Sequence, residues 1–598
     1  MGFFEGLSRE EILEVARDDF LAASESRKSL ESRKLESLEL YRRYRDDVQQ
    51  GLKPGAGGGP FGWSKIDVPA VYWATETILA RMGVQYPKPI VTASTPEAGP
   101  YAMAAQLRLD RHLSRAWAEE RALLAMKQQI VLGDSPVKTP WDATLGGPVM
   151  QPIPWFDFFM SPEALFWDTA EVLWHRTWWT KRSLVELLRR DSRRDEPLYD
   201  REALERCINE VTDRSQQDTT WQTRRSIAGL TEAAAYGSND QQIAFCEGWY
   251  IDGSRVLIAG NGNQPDYLLQ VVEPEDSTFR DAFGVPFRPL SVLQNTPDPG
   301  FIPQGVSDAE VLGDFQAEMS TLLNQAIDQG TANLNSPAAF DASRISAAMV
   351  QAALGQPRGL IPVNGPVDGV IQRLPPGQLS GDQERLANQV LDLIQRTTGI
   401  SDITTGQMDP SNQTATGMGI IASESNMRHK LRMKLAQLGF RRVAKHIYCL
   451  DRAMGSPVMG VPVPKGFQPE PGQEGVSASQ GMAMVPQYPT YGPGMHYEVD
   501  VDAGAMAPPG QSEQAQKVRA FAMDASANPV LAQQTDWRAV GEMLAESHGL
   551  DPNRVFMQQP AGNAQAAFPT GMPGEQMPPE EGVVQDEQGV PVGSPNGG

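Results

Sequence analysis

Residues 307–454 constrain this chain most, because they encode long helices around a stretch with no apolar period. A first helix opens at Ser307-Asp-Ala-Glu310, a capping box in which each end satisfies the other's free amide. Its apolar residues Leu312, Phe315, Met319, Leu322 and Ala326 step by threes and fours, the spacing of a packing seam. A second helix opens at Ser380-Gly-Asp-Gln383, carries Leu386, Val390 and Leu393, and stops at Gly399. The polar run SDITTGQMDPSNQTATG (401–417) follows, and a third helix is expected from about Met418 to Met454. Such a pattern suits a protein that presents long rods and a loop to something passing by.

Composition narrows the class. At 598 residues, 40% of them hydrophobic, the chain can build several cores. Its formal net charge of −22 argues against a simple cationic nucleic-acid clamp and against adhesion to an anionic membrane. Cys207, Cys246 and Cys449 are odd in number and lack CxxC spacing, which points to a reducing compartment with no disulfide frame. The acidic, amphipathic N-terminus reads as neither a signal nor a transit peptide. No run of about 18 apolar residues is long enough to cross a membrane, so no membrane partner is expected.

Before residue 307 the pattern mixes helix and strand. Residues 8–50 read as a charged helical stretch, 64–94 as helix then strand, and 101–132 as a helix ending at Gly133. The span from Trp141 to Leu188 is dense in aromatic residues and reads as a packed core or a subunit interface. Residues 180–240 are polar and helical. Two alternating runs flank Asp252-Gly253, a hairpin dipeptide. Beyond 455, HYEVDVDAG (496–504) reads as one strand, 517–549 as two short helices, and the segment from about 553 as disordered on composition.

No catalytic constellation emerges. There is no GxxxxGK[ST], HExxH or GxSxG, and Gly260-Asn-Gly262 is a turn rather than a nucleotide fingerprint. The six histidines are scattered, and His175 between Trp174 and Arg176 reads as a structural residue. The expectation is a protein that is not an enzyme, with no cofactor and no metal.

Five segments, taken in order, resemble the portal proteins (head–tail connectors) of tailed double-stranded DNA bacteriophages, most closely the podovirus type. They are IDVPAVYWATETILARMGVQYPKPIVTAS; PWFDFFMSPEALFWDTAEVLWHRTWWTKRSLVEL, where Ser161 stands in place of a usual Asp; GFIPQGVSDAEVLGDFQAEMSTLLNQAIDQGTANLNSP; TTGISDITTGQMDPSNQTATGMGIIASESNMRHKLRMKLAQL; and HYEVDVDAGAMAPPGQSEQAQKVRAF. The resemblance covers roughly residues 8–550.

The resemblance implies an α+β, mainly helical fold with wing, stem, clip and crown. It also implies assembly as a ring, usually a dodecamer, at one capsid vertex of the virion, where DNA is packaged and ejected. On that pattern 1–306 would be the N-terminal region and wing, with its β segment at 243–272. Residues 307–335 would be the first stem helix, 336–380 the clip, and 381–400 the second stem helix. A tunnel loop would occupy 401–417, a long wing helix 418–454, the crown and C-terminal helices 455–552, and a disordered tail 553–598. Leu312, Phe315, Met319, Leu322, Leu386, Val390 and Leu393 would form the channel wall or a subunit-packing seam. Thr404, Thr405, Gln407, Asn412, Gln413, Thr414 and Thr416 would face the DNA with neutral groups. The implied partners are further copies of the chain, the major capsid protein, a scaffolding protein, the terminase large subunit, a head–tail adaptor and, transiently, double-stranded DNA.

Elementary geometry agrees with a channel. Twelve helices at about 9 Å spacing enclose a lumen of roughly 25 Å once side chains are subtracted, enough for a duplex. An acidic or polar lining would not brake a passing phosphate backbone, because each neutralised phosphate adds affinity. The basic residues Arg428, Lys430, Arg432, Lys434, Arg441, Arg442 and Lys445 on the third helix are expected to pair with acidic groups of adjacent subunits. The competing readings are another ring or adaptor protein of the head–tail junction and, in a different class, a hydrolase with an unrecognised site.

Overall fold

The computed structural model describes residues 2–42, 64, 66–83, 89–115, 118–228, 241–262, 264–281, 283–300, 304–334, 338–354, 371–373, 381–399, 415–463, 476–479, 481–486 and 497–501, plus a few positions between 518 and 541. Met1–Pro508 forms one unit, and Pro509–Gly598 a second, of which only those few positions are described.

The chain opens with α1 (Arg9–Ser26) and α2 (Lys28–Arg42). Ser8 starts α1 with a capping box to Glu11, and Ile12, Ala16, Phe20 and Ala23 form its buried stripe. Next come α3 (Ala70–Gly83), β1 (Pro89–Ala93), α4 (Ala102–Arg115) and α5 (Ala118–Leu132). The helix expected over 101–132 is therefore two helices.

A six-stranded antiparallel sheet dominates the aromatic region. After β2 (Asp134–Lys138), which belongs elsewhere, it uses β3 (Phe158–Met160) and β4 (Val172–Thr180). The helices α6 (Lys181–Asp191), α7 (Arg201–Asn209) and α8 (Thr219–Ile227) intervene. The sheet resumes with β5 (Gln241–Tyr250), β6 (Arg255–Asn261) and β7 (Gln264–Val272). Its order is β7-β6-β5-β4-β3, with Thr212–Asp213 pairing against β5. Gly253, at φ 94°, makes the tight turn between β5 and β6, as the Asp-Gly dipeptide demands. Trp174 lies opposite Gly248 in the register, and a side chain at 248 would strike its ring at 2.6 Å. Most of the aromatic block is core: Trp155, Phe156, Phe158, Phe159, Trp167 and Trp174 are buried, while Phe166 is exposed.

Strand β2 pairs with β8 (Leu290–Gln294). Three long helices follow: α9 (Asp308–Leu334), α10 (Gly381–Thr398) and α11 (Ala415–Met454). In the region between α9 and α10, Ala338–Phe340 pairs antiparallel with Ile371–Arg373. After α11, β9 (Val458–Pro462) pairs with β10 (Met482–Pro486), and β11 (Tyr497–Val501) returns to β1. The fold is α+β and mainly helical. A large apolar core joins α3, α4, α5, the foot of α9 and the second half of α11.

Candidate channel-forming helices

The foot of α9 is fixed by chemistry on every side. Ser307 Oγ accepts the Glu310 N–H at 2.9 Å, and the Ser307 N–H meets Glu310 Oε2 at 3.5 Å, so the capping box is present. Asp308 receives both arms of Arg432, Nη1 to Oδ2 at 2.6 Å and Nη2 to Oδ1 at 2.9 Å. Burial outweighs that pairing and leaves the Asp308 carboxyl above its ordinary value. Lys34 donates to Glu310 at 2.8 Å and to the Gly305 carbonyl at 3.3 Å.

Just before the helix, the Gly305 N–H is shared by both oxygens of Asp134 at 2.8 Å. Burial pushes the Asp134 carboxyl up to about 7, against the pull of the Gly305 amide and Lys34. Gly133 sits at φ 85°, and a Cβ there would lie 2.1 Å from the Gly305 carbonyl oxygen. The two backbones touch because neither residue has a side chain.

A polar ladder extends this anchorage along α9. Gln316, Ser320, Asn324 and Asp328 recur every four residues and so share one face. Gln316 Oε1 accepts the Val71 N–H at 2.9 Å, and Ser320 Oγ accepts the Val68 N–H at 3.0 Å. Asn324 accepts from the Ile66 N–H at 2.7 Å and donates to the Ile66 carbonyl at 2.8 Å. Asp328 accepts the Ser64 N–H at 2.6 Å. The segment leading into α3 is thus hydrogen-bonded to a helix as if to a neighbouring strand. Sequence reasoning missed this ladder; its signal was the four-residue recurrence of Gln, Ser, Asn and Asp.

Helices α9 and α10 pack together. Leu312 and Leu322 are buried, and Phe315 and Met319 are half-buried. On α10 the inward residues are Val390, half-buried, then Ile394 and Thr398, both buried. Leu386 and Leu393 are instead 44% and 46% exposed on the single chain, and Leu391 is exposed on another side of the helix. On α9, Val311 is exposed on one side and Leu323 with Ile327 on another.

Of the expected tunnel-loop residues, Thr404, Thr405, Gln407, Asn412, Gln413 and Thr414 lie outside the described residues. Thr416 is the second residue of α11, which begins at Ala415 rather than at Met418.

Three of the seven basic residues of α11 expected to pair with adjacent subunits meet acids of their own chain instead. Arg432 holds Asp308; Arg441 pairs with Glu498 at 2.9 Å and Asp500 at 3.6 Å; Arg442 approaches Asp168 at 4.0 Å and lies over the Trp167 ring. The end of α11 is tied to α4 by a buried cluster. Arg108 meets both Asp451 oxygens, at 2.7 and 2.8 Å, and His112 Nε2 lies 2.7 Å from Asp451 Oδ1. Burial alone would raise the Asp451 carboxyl, but the bonds from His112 and Arg108 outweigh it and hold it below the ordinary range.

His175, Cys207 and Cys246 are buried packing residues. Burial holds His175 down to about 4, which keeps it neutral, and pushes the Cys207 and Cys246 thiols up to about 12. Among the described residues no group of three or more His, Cys, Asp or Glu side chains is placed to hold a metal ion, and no helix is long and apolar enough to cross a membrane.

The arrangement is therefore long anchored rods that leave apolar side chains exposed on more than one side. A family model described as phage SU10 portal protein matches residues 88–463, more than half of the chain. The chain belongs to the phage SU10 portal protein family. The podovirus-type portal resemblance read from the sequence agrees with it. The matched span contains the six-stranded sheet, all of α9 to α11 and β9; of the five resembling segments, the first lies mostly before it and the last lies beyond it. This is a family of structural proteins rather than enzymes. No curated protein matches the chain.

Proposed function

We propose that copies of this chain close into a ring, usually of dodecamer size, at one vertex of the capsid, and that double-stranded DNA is packaged and ejected through its centre. In this reading α9 and α10 are the stem, 336–380 the clip, 401–417 the tunnel loop, and 455–552 the crown and C-terminal helices. The observation that carries the reading is the set of apolar side chains that the two helices leave exposed on more than one side. Leu386, Leu391 and Leu393 on α10, and Val311, Leu323 and Ile327 on α9, are exposed on a rod whose foot is rigidly held. Neighbouring copies on either side would cover these side chains and leave polar faces to the lumen.

The partners in this reading are the major capsid protein, a scaffolding protein where one exists, the terminase large subunit during packaging, and the head–tail adaptor afterwards. Thr404, Thr405, Gln407, Asn412, Gln413, Thr414 and Thr416 would touch the passing duplex without a basic residue among them. Deleting 404–416 is expected to leave the assembled ring intact and to impair packaging or retention of DNA. Normal packaging by the deleted protein would remove the tunnel-loop role.

A further inference from the structure

The six-stranded sheet carries helices on both faces, and the two layers differ in charge. Along β5 alternate side chains point to opposite faces. Ala244 and Cys246 pack with Ile12, Ala16 and Phe20 of α1. Ile243 and Phe245 pack with Leu184 of α6 and with Leu204 and Cys207 of α7. So α1 covers one face, and α6 with α7 the other.

On the outer side of α1, Glu10, Glu14 and Asp18 follow at four-residue intervals and are all exposed. None of them forms an ion pair among the described residues, and both arginines of α1 are drawn away from them: Arg9 to Asp200 at 2.9 Å and Arg17 to Asp266 at 4.0 Å. Exposed Leu7 and Leu21 stand at the two ends of the acidic stripe. On the opposite layer Arg182, Arg189 and Arg193 are exposed and form no ion pair among the described residues. Of the two acids between them, Glu186 is already taken by Arg190 at 2.9 Å, and Asp191 is buried and accepts the Leu198 and Tyr199 N–H groups. At about 1.5 Å per residue the acidic stripe runs roughly 12 Å and Arg182 to Arg189 on α6 roughly 10 Å, with Arg193 just past the helix end.

We infer that these outer layers meet between copies: the acidic α1 stripe of one copy lies against the Arg182–Arg189–Arg193 stripe of the next. A ring needs a heterologous contact, in which two different patches of one chain complement each other. Copies with a net charge of −22 repel, so an ordered charge match sets both partner choice and register. The inference rests on the ring reading above and names one of its contacts.

The test uses the full chain in four forms: wild type, E10K/E14K/D18K, R182E/R189E/R193E, and all six changes together. Native mass spectrometry gives the assembly size, and circular dichroism shows that each form is folded. Each triple reversal is expected to weaken association between neighbours by about 100-fold at low salt, and the sixfold variant to regain the wild-type assembly. A neutral form, R182A/R189A/R193A, is expected to weaken it less and serves if a reversal fails to fold. If wild type forms a ring and the folded reversals or neutral form assemble equally well, the contact is wrong and the ring stands. The contact is also wrong if the folded sixfold variant stays apart. If wild type is a monomer, the ring reading falls and this contact with it.

Discussion

Asn324 holds both backbone polar groups of one residue, accepting the Ile66 N–H at 2.7 Å and donating to the Ile66 carbonyl at 2.8 Å. A helix side chain here does what a neighbouring strand would do. With Gln316, Ser320 and Asp328 it ties the approach to α3 along α9, so the rod and the body move together.

Replacing Asn324 by Ala removes those two bonds and a third, from Ser64 Oγ at 2.9 Å. The expected cost is about 2 kcal/mol, since each such bond contributes about 0.5–1.5 kcal/mol net. Thermal unfolding should fall accordingly, and limited proteolysis should cut between 64 and 70 faster than in wild type. The control Thr321→Ala loses one exposed bond to the Ala317 carbonyl and should change stability by under about 0.5 kcal/mol.

The sequence made some of this legible and hid the rest for identifiable reasons. The capping box at Ser307, the Asp252-Gly253 turn and the aromatic core were readable because each is a local or compositional rule. On α10 the apolar residues wrap more than one face: Val390 and Ile394 turn inward on the chain itself, while Leu386 and Leu393 stay exposed. Periodicity gives a stripe's spacing but not which neighbour covers it. The Asn324 ladder was missed because polar helix positions usually face water. The partners of Arg432 and Arg441 were misassigned because Asp308 and Glu498 lie far away in the chain.

Asp451→Asn should cost about 3–5 kcal/mol, because it leaves Arg108 buried with its charge uncompensated. Arg441→Ala, at an exposed pair, should cost less than about 1 kcal/mol. The pH dependence has a definite sign. Since folding holds the Asp451 carboxyl below 3.8, its contribution is present above the ordinary carboxylate range and is lost as pH falls through the folded value. Urea melts of both variants at neutral pH, and of wild type into the acid range, check the contrast.

Asp134 behaves in the opposite sense. Its folded pKa of about 7 lies above the ordinary 3.8, so the folded state binds the extra proton between those values. Its contribution is full below about 3.8 and is lost as pH rises through about 7. The stability of wild type minus that of Asp134→Asn should therefore increase as pH is lowered from 7 towards 4. A flat difference across that window would show that the carboxyl titrates normally.

Gly133→Ala should destabilise the foot of α9 by about 3 kcal/mol, combining a left-handed backbone with a clash against the Gly305 carbonyl. Gly330→Ala, on the same helix with open space around it, should be neutral or slightly stabilising. Differential scanning calorimetry of the two variants gives the comparison.

Cryo-electron microscopy of the purified full chain tests the central claim most directly. The account predicts a closed ring whose central opening is roughly 25 Å wide, walled by helices 308–334 and 381–398. A compact monomer, or a ring in which those helices lie away from the opening, would contradict it.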